Sequence, residues 1–403
     1  MTAETRAGGY RAPGVYREDV FPAPEPGPRT GVPAFLGHTR TGPIGTPCPL
    51  TLWPQFESGF GVARADGYLA DAVRGFFEND GELCYVVRLG DSESTEVGME
   101  AGLEALAATD TVDLICAPDI MRSREGGALP PDPAATRRMQ TAVLRHCERL
   151  GDRFAILDPR PQDDDDGALA QRAEQESPDG ALYYPWVRTP ETVKQTGLFV
   201  PPCGHIAGLY AQTDAHGGVH RAPANRELRH VVDLAENITE LRQTTLNPAG
   251  VNCLRALPGR GIRALGARTL SQDPRWTYVN VRRLFLAVAR WIEHHLTVTA
   301  FEPNGPQLWA RIGRELTAYL SGLARLGALA GRTDTDGFFV QCDAETNTYD
   351  TRAVGMIVTR IGLAPTAPGE FIVLRIVHGD GPATVTMLSS PADRTGRSIG
   401  RRF

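Results

Sequence analysis

The chain has 403 residues, enough for two or three domains, and its 41% hydrophobic and 22% charged residues are typical of a globular protein. The formal net charge of −6 argues against a nucleic-acid partner. The sequence contains no run of about 18 apolar residues, so direct insertion into a membrane is not expected. The seven cysteines form no CxxC pair, and the N-terminal "MTAETRAGGY" has no apolar run. We therefore expect neither disulfides nor a signal peptide, and a reducing, cytoplasmic compartment.

Residues 1–30 are predicted to form an extended arm and a linker. The stretch "APGVYREDVF" is typical of a short strand and contains Val15, Tyr16 and Val20. The following "FPAPEPGPRTGVP" can form neither a helix nor a central strand, because its prolines lack a backbone donor. The arm is therefore expected to join the rest of the chain through a linker.

Residues 31–240 are predicted to form an α/β region. Helical spacing of apolar residues occurs in "YLADAVRGFFEND" and "AATRRMQTAVLRHCERLG". Short apolar runs typical of buried strands are "VPAFLGHT", "LCYVVRL", "VDLICAPD" and "RFAILDP". This alternation predicts an α/β layer with a parallel pair of strands. Residues 158–180 are acidic and poor in apolar residues, which predicts a solvated loop.

Residues 241–366 are predicted to form a C-terminal domain. The stretches "RRLFLAVARWIEHHL" and "GPQLWARIGRELTAYLSGLARLG" predict two amphipathic helices, and "GFFVQCD" and "VGMIVTRIGLAP" predict strands. The second helix has an apolar stripe and an opposite face with Arg311, Arg314 and Arg325. Lys194 is the only lysine, so an arginine cluster is weaker evidence for a binding site here than in most proteins.

Residues 367–403 are predicted to form a C-terminal strand followed by a polar tail. The strand "GEFIVLRIVH" is rich in β-branched and aromatic residues, and its pairing residues are Phe371, Val373, Leu374 and Ile376. A lone strand exposes unpaired N–H and C=O groups, which favours pairing with another strand. The residues alone leave open whether both terminal strands pair within one chain or between chains.

Tests for chemistry give no positive signal. The single lysine lies in "PETVKQTG", which is not a P-loop, and there is no GxSxG elbow. His216 and His220 of "HGGVH" are separated by glycines, and the run from Asp163 to Asp166 lacks EF-hand spacing. We therefore predict no catalytic residue, metal or cofactor, although a catalytic site assembled from distant residues stays open.

Several stretches resemble the contractile tail sheath protein family of phage tails and phage-like injection systems. They are "YRAPGVYREDVFPAPEPGPRTGVPAFLGHT", "FGVARADGYLADAVRGFFENDGELCYVVRL", "PPCGHIAGLYAQTDAHGGVHRAPAN", "LNPAGVNCLRALPGRGIRALGARTLSQDPRWTYVNVRRL", "FEPNGPQLWARIGRELTAYLSGLARLGALAG" and "APGEFIVLRIV". They occur in the family's order and cover most of residues 10–378.

The resemblance implies a mixed α/β fold with a C-terminal sheath domain and terminal strands that pair between subunits. It also implies hexameric rings, stacked helically around an inner tube, that contract to drive the tube through a target envelope. The implied partners are other copies, the inner tube, and baseplate and terminal cap proteins. Assembly is expected in the cytoplasm. The expected product is a phage tail or a tail-like particle, which is released from the cell in some systems.

Two groups of residues receive expected roles in this picture. Arg311, Arg314 and Arg325 are candidates to face the tube, with an ordinary solvated helix face as the alternative. In "GARTLSQDPRWTYVNVRRL", we expect Trp276 and Tyr278 to anchor the α/β body and Asn280 and Arg282 to hold turns. The competing classes are an α/β enzyme and a static scaffold that forms only one lattice.

Overall fold

The computed structural model describes most of the chain from residue 28 onward. The described ranges are 28–64, 66–90, 94–123, 129–161, 163–194, 198–296, 302–331, 336–366, 372–378 and 384–388. Val15, Tyr16, Val20 and Phe371 lie outside them, so the pairing predicted for these residues remains a prediction.

The strands and helices alternate through the first two thirds of the chain. The strands are β1 (Pro33–Gly37), β2 (Cys48–Leu50), β3 (Cys84–Arg88), β4 (Leu114–Cys116), β5 (Phe154–Leu157), β6 (Gly180–Tyr184), β7 (Val187–Arg188), β8 (Asp233–Leu234), β9 (Val251–Leu257), β10 (Gly261–Leu265), β11 (Phe338–Gln341), β12 (Ile357–Leu363), β13 (Ile372–His378) and β14 (Thr384–Leu388). The helices are α1 (Trp53–Phe60), α2 (Leu69–Glu78), α3 (Thr95–Leu106), α4 (Pro133–Leu150), α5 (Asp165–Ala173), α6 (Cys203–Gly217), α7 (Glu240–Leu246), α8 (Val279–Leu296), α9 (Pro306–Arg325) and α10 (Tyr349–Ala353).

An eight-stranded sheet forms the centre of the body. Its strand order is β10-β9-β6-β5-β4-β1-β3-β2, and the pairs from β9 to β3 are parallel. Only the outer strands β2 and β10 are antiparallel to their neighbours. The predicted α/β layer is therefore confirmed. The sheet includes β9 and β10, so the predicted boundary after residue 240 falls inside the body.

Helices cover both faces of the body sheet. One face packs against α1, α2 and α6, through residues such as Phe56, Phe76 and Tyr210. The other packs against α3 and α4, through residues such as Leu103 and Val143. Near-continuous apolar strands such as "FAIL" in β5, which is buried throughout, are typical of a parallel sheet buried on both faces.

The segment 158–180, predicted to be a solvated loop, contains α5. Asp164 caps this helix, because its side chain accepts a hydrogen bond from the Gly167 N–H at 2.9 Å. Asp165 and Asp166 lie in the first turn, where the helix dipole favours negative charge. The aspartate run therefore starts a helix. The loop prediction was wrong for residues 165–173, where Gln171 and Arg172 are buried.

The C-terminal unit combines α8 and α9 with a second sheet, of order β11-β12-β13-β14. Its core joins Phe285 and Trp291 of α8, Leu316 of α9, and Ile361 and Leu363 of β12. The opposite side of α8 reaches the body core through Val279 and Leu286. The helix therefore has apolar contacts with both units.

The C-terminal strand is confirmed as β13, but the tail after it is not uniformly irregular. Residues Thr384–Leu388 form β14, which pairs antiparallel with β13. The other edge of β13 pairs with β12 over seven residues, from Ile357↔His378 to Leu363↔Ile372. In the single chain, both edges of β13 are therefore occupied, and the outer strands of this sheet are β11 and β14.

Candidate assembly surfaces

The carboxyl edge of the body sheet is where doubly wound proteins most often bind ligands. Here the chain's own loops occupy it. Asp119, after β4, accepts hydrogen bonds from the backbone N–H groups of His38 and Tyr68, both at 2.6 Å. Asp158, after β5, accepts one from the Cys203 N–H at the start of α6, at 2.9 Å. These two carboxylates hold backbone in place.

Burial affects the protonation of both aspartates. It raises the pKa of Asp119 and raises that of Asp158 to about 7, while hydrogen bonds from the neighbouring backbone oppose the shift.

In the described part of the chain, no group of three His, Cys, Asp or Glu side chains is placed to hold a metal ion. Within the same residues, none of the helices has the length and apolar character of a membrane span.

A buried set of ion pairs attaches α8 to the body. The Arg283 guanidinium donates to both carboxylate oxygens of Asp214, at 2.7 and 2.9 Å, and to Asp113 at 2.9 Å. Arg282 donates to Asp179 at 2.6 and 3.1 Å. Asp113 also accepts from the Gly31 and Val32 N–H groups, so this network reaches the start of β1.

The expected roles in "PRWTYVNVRRL" can now be compared with these contacts. Trp276 is buried, but it belongs to the C-terminal core and stacks under Arg282, 5.0 Å from the ring centre. Tyr278 is 36% exposed, but it forms an isolated β-bridge with Arg268, whose guanidinium lies 5.7 Å from the ring centre, so it contacts the body at the surface rather than in the core. Asn280 donates to the His220 carbonyl at 3.0 Å, as expected for a residue that holds a turn. Arg282 also holds a turn, because its carboxylate partner Asp179 lies in the turn before β6.

Sequence reasoning missed Arg283 together with Asp113 and Asp214. The only signal was a pair of adjacent arginines near the start of a helix rich in apolar residues, which is unexpected unless both charges are paired. The carboxylate partners are 170 and 69 positions away, so only the fold brings them together.

The three predicted tube-facing arginines lie on one side of α9, opposite its buried residues Leu308, Ile312, Leu316 and Leu320. They are not equivalent. Arg311 forms ion pairs with Glu302 and, at 3.7 Å, with Glu315. Arg325 is exposed and donates to the Ser321 carbonyl at 3.3 Å. The Arg314 side chain is exposed and makes no hydrogen bond or ion pair with the described residues.

An open groove runs between α9 and β11. Its lining combines small residues with aromatic and charged ones: Trp309, Ala310, Gly313, Arg314 and Thr317 on the helix side, and Val340, Gln341, Cys342 and Asp343 on the strand side. A side chain at Gly313 would meet open space, since no atom lies within 4 Å of its position. Within the described residues, the outer edge of β11 has no partner strand, and the groove follows this edge.

Comparisons with known proteins agree with this architecture. The family described as "Phage tail sheath protein central domain" matches residues 93–270, and "Phage tail sheath C-terminal domain" matches residues 271–378. A putative prophage major tail sheath protein of Pseudomonas aeruginosa (strain UCBPP-PA14) is 25% identical over 254 residues. That match covers 60% of this chain and 61% of the relative, so the chain spans less than two thirds of its length.

Two solved assemblies contain similar chains. One is the baseplate of the anti-feeding prophage, solved by cryo-EM with six-fold symmetry, with 30% identity and a TM-score of 0.73 over 90% of this chain and 97% of that one. The other is the helical sheath of the same particle in its contracted state, with 30% identity and a TM-score of 0.71 over 89% and 97%. Together the sequence matches span residues 93–378 and the structural matches nearly the whole chain. The chain therefore belongs to the phage tail sheath protein family.

Proposed function

We propose that this protein is the structural subunit of a contractile sheath. It polymerises as helically stacked hexameric rings around an inner tube and contracts to drive the tube through a target envelope. One observation carries the proposal. The same fold matches about nine tenths of this chain both in a six-fold baseplate assembly and in a contracted helical sheath. The free energy for contraction comes from the larger surface buried in the contracted lattice, so no nucleotide site is needed.

The role we propose is structural rather than catalytic. The carboxyl edge of the body sheet supports it, because Asp119 and Asp158 are both used there to bind backbone. The partners of the subunit are other copies, the inner tube, and baseplate and terminal cap proteins. Assembly takes place in the cytoplasm, and the product is a phage tail or a tail-like particle.

Terminal strands join neighbouring subunits in this proposal. The Val15, Tyr16 and Val20 arm adds to the C-terminal sheet of a neighbour, and the strand with Phe371, Val373, Leu374 and Ile376 is exchanged between copies. In the single chain this second strand pairs with β12. A neighbour's strand can make the same main-chain hydrogen bonds, which tolerate rigid-body rotation of the bodies they connect.

Deleting residues 1–20 tests the strand exchange. The deletion variant should remain folded, because the hydrophobic cores are formed by residues from Ala34 onward, and should fail to form tubes in electron micrographs. Its circular dichroism and thermal midpoint should equal those of the full chain. Tubes of normal length from the deletion variant would contradict this part of the proposal.

The exposed arginine face of α9 is the proposed contact with the tube. Arg314 is its best-placed member, since it has no partner among the described residues, whereas Arg311 is already paired with Glu302 and Glu315. Such an interface must be polar and modest in area, because it has to release during contraction.

Arg314→Glu should reduce the yield of sheath assembled on tube by about tenfold or more, because a rim charge reversal replaces attraction with repulsion. Sheath tubes formed without the inner tube should be unaffected. Arg145→Glu on α4 is the matched control, since Arg145 is also exposed and without a partner among the described residues. Normal sheathed particles from the Arg314 variant would contradict the assignment.

A further inference from the structure

The β9–β10 hairpin, at one edge of the body sheet, carries arginines that have no carboxylate partner. The stretch 251–268 contains four arginines and no acidic residue. Arg255 of β9 and Arg263 of β10 are directly opposite each other in register, and like charges in this position are destabilising. Arg260 lies in the turn between the two strands and is exposed. The hairpin therefore concentrates positive charge in a protein whose net charge is −6.

Neutral groups hold the guanidinium groups at this edge in place. Arg260 donates to the Asn225 side-chain oxygen at 3.2 Å, and Arg263 donates to the Asn225 carbonyl at 2.6 Å. The neighbouring Arg226 donates to the Gln212 side-chain oxygen at 3.1 Å. These three residues, which we call the hairpin arginines, form no ion pair with the described residues. Each guanidinium is therefore positioned while its charge is uncompensated.

The outer edge of β10 is already covered, so a partner must bind there through side chains. Residues 225–228 lie along this edge: the Asn225 N–H donates to the Ala264 carbonyl at 2.7 Å, and Glu227 forms an isolated antiparallel bridge with Arg263. The Glu227 side chain is exposed and forms no ion pair with the described residues. The three hairpin arginines therefore outnumber the single carboxylate beside them.

The C-terminal unit presents the opposite charge in the loop after β11. Asp343 and Glu345 are exposed, and the side-chain amide of Gln341 donates to both carboxylates, at 3.2 and 3.0 Å. Asp350, in the first turn of α10, is exposed and has no partner among the described residues. Within the same residues, no arginine forms an ion pair with any of these three carboxylates. We call Asp343, Glu345 and Asp350 the acidic loop.

The acidic loop is held in one conformation, and its surroundings have the composition of an interface. Asn347 is 1% exposed, and its side chain accepts from the Val358 N–H at 2.6 Å and donates to the Val358 and Asp343 carbonyls at 3.1 and 3.0 Å. Close by in the chain, Tyr349 and Val354 are 77% and 64% exposed. Tyrosine and arginine are enriched at protein interfaces, and a guanidinium stacks favourably on a tyrosine ring. The loop therefore offers carboxylates and an aromatic ring to a basic partner.

The aspartate run at the start of α5 is less suited to such a partner. Asp163 forms an ion pair with Arg160 at 3.3 Å, and Asp165 forms one with Arg242 at 2.6 Å. Asp164 caps the helix. Three of the four carboxylates in that run are therefore already used within the subunit.

We propose that the hairpin arginines of one copy bind the acidic loop of a second copy. This inference rests on the proposed sheath function, in which the neighbours of each subunit are other copies. The two surfaces belong to different units of the chain, so their contact is head-to-tail. Such a contact generates rings or helical polymers rather than a closed two-fold dimer. The charges also select the alignment of the copies, because like charges meet in a misaligned pair.

The double variant Arg260→Glu, Arg263→Glu tests the contact from the basic side. Formation of tubes by the purified protein in electron micrographs should fall by about tenfold or more, because attraction becomes repulsion at every copy in the lattice. The matched control is Arg137→Glu with Arg145→Glu on α4, since both arginines are exposed and without a side-chain partner among the described residues. Circular dichroism should show that each variant is folded.

The acidic side is tested by Glu345→Arg with Asp350→Arg, which should reduce tube formation to a similar extent. Asp343 stays unchanged in this variant, because its carboxylate accepts hydrogen bonds from the Glu345 and Thr346 N–H groups and so holds the loop. Combining all four substitutions exchanges the charges of the two surfaces. Since every copy carries both surfaces, this quadruple variant should recover most of the tube yield.

Normal tubes from either double variant would overturn this inference and leave the sheath function standing. Failure of the quadruple variant to assemble, with the subunit folded, would overturn the pairing of these two surfaces. Absence of tubes from the unchanged protein would instead count against the sheath function itself. A fluorescently labelled DNA duplex should not bind the protein. Binding that is lost in Arg260→Glu, Arg263→Glu, together with normal tubes, would assign the hairpin to a nucleic acid and overturn the proposal.

Discussion

Single buried charges determine how the C-terminal unit is attached to the body. Arg283 is 3% exposed and lies between Asp113 and Asp214, which are also held within the interior. Burial raises the pKa of Asp214, and the adjacent Arg283 guanidinium opposes that shift. Asp214 therefore depends on the arginine to remain ionised without a large desolvation cost.

Replacing Arg283 by Met should lower the free energy of unfolding by about 3–5 kcal/mol, because it removes the cationic partner of two buried carboxylates. Urea unfolding at neutral pH measures the loss, with Arg145→Met as the exposed control. Triple replacement with Asp113→Asn and Asp214→Asn should recover part of the stability. A loss below about 1 kcal/mol for Arg283→Met would show that the network does not hold α8 in place.

For single residues, the sequence predicted the role of a side chain better than the identity of its partner. Asn280 was expected to hold a turn by a hydrogen bond, and it does. The partners of Arg283 were not predicted, because they lie far away in the chain, just before β4 and in α6. Tyr278 contacts the body, but at the surface through Arg268, because nothing in the local pattern indicates which face of the turn meets the core.

Among the elements, α2 and α6 pack with an unusually close approach. Gly204 and Gly208 of α6 face α2, where an added Cβ would collide with the backbone of Ala72 and with Phe76 and Asn79. The spacing of four residues puts both glycines on one face of α6, so the two helices approach through backbone contact. This contact fixes one helical layer of the body.

Gly204→Ala should destabilise the protein by about 2–4 kcal/mol, because α6 must move away from α2 or the chain must strain. Gly322→Ala in α9 is the matched control, since no atom lies within 4 Å of its added Cβ. The control should stabilise the helix by about 0.5–1 kcal/mol. Thermal and urea unfolding compare the two variants, and equal effects would contradict the close-approach account.

Periodicity was enough to predict strongly patterned elements, and it failed where pattern was weak. The helices α2, α4, α8 and α9 follow clear apolar stripes and were predicted. The helix α5 was missed because its acidic first turn looked like a solvated run. β14 is short and contains two threonines, so its composition resembled the polar tail around it.

For the whole molecule, the sequence predicted an α/β body followed by a C-terminal unit, and the resemblance to sheath proteins is confirmed by the family and structural matches. What a single sequence could not specify is the division between the units. β9 and β10 follow residue 240 but complete the body sheet, because strand pairing joins distant parts of the chain. Contacts between copies could not be predicted from the apolar pattern of one chain. The sequence indicates them only where a strand edge is left unpaired.

The most direct test of the account is negative-stain electron microscopy of the purified protein, alone and co-expressed with its tube partner. We predict two lattices from one chain: wide, hollow, ridged tubes from the protein alone, and longer, narrower tubes when the inner tube is present. One lattice of unchanged diameter under both conditions would indicate a static scaffold. Monodisperse monomers under both conditions would contradict the sheath assignment itself.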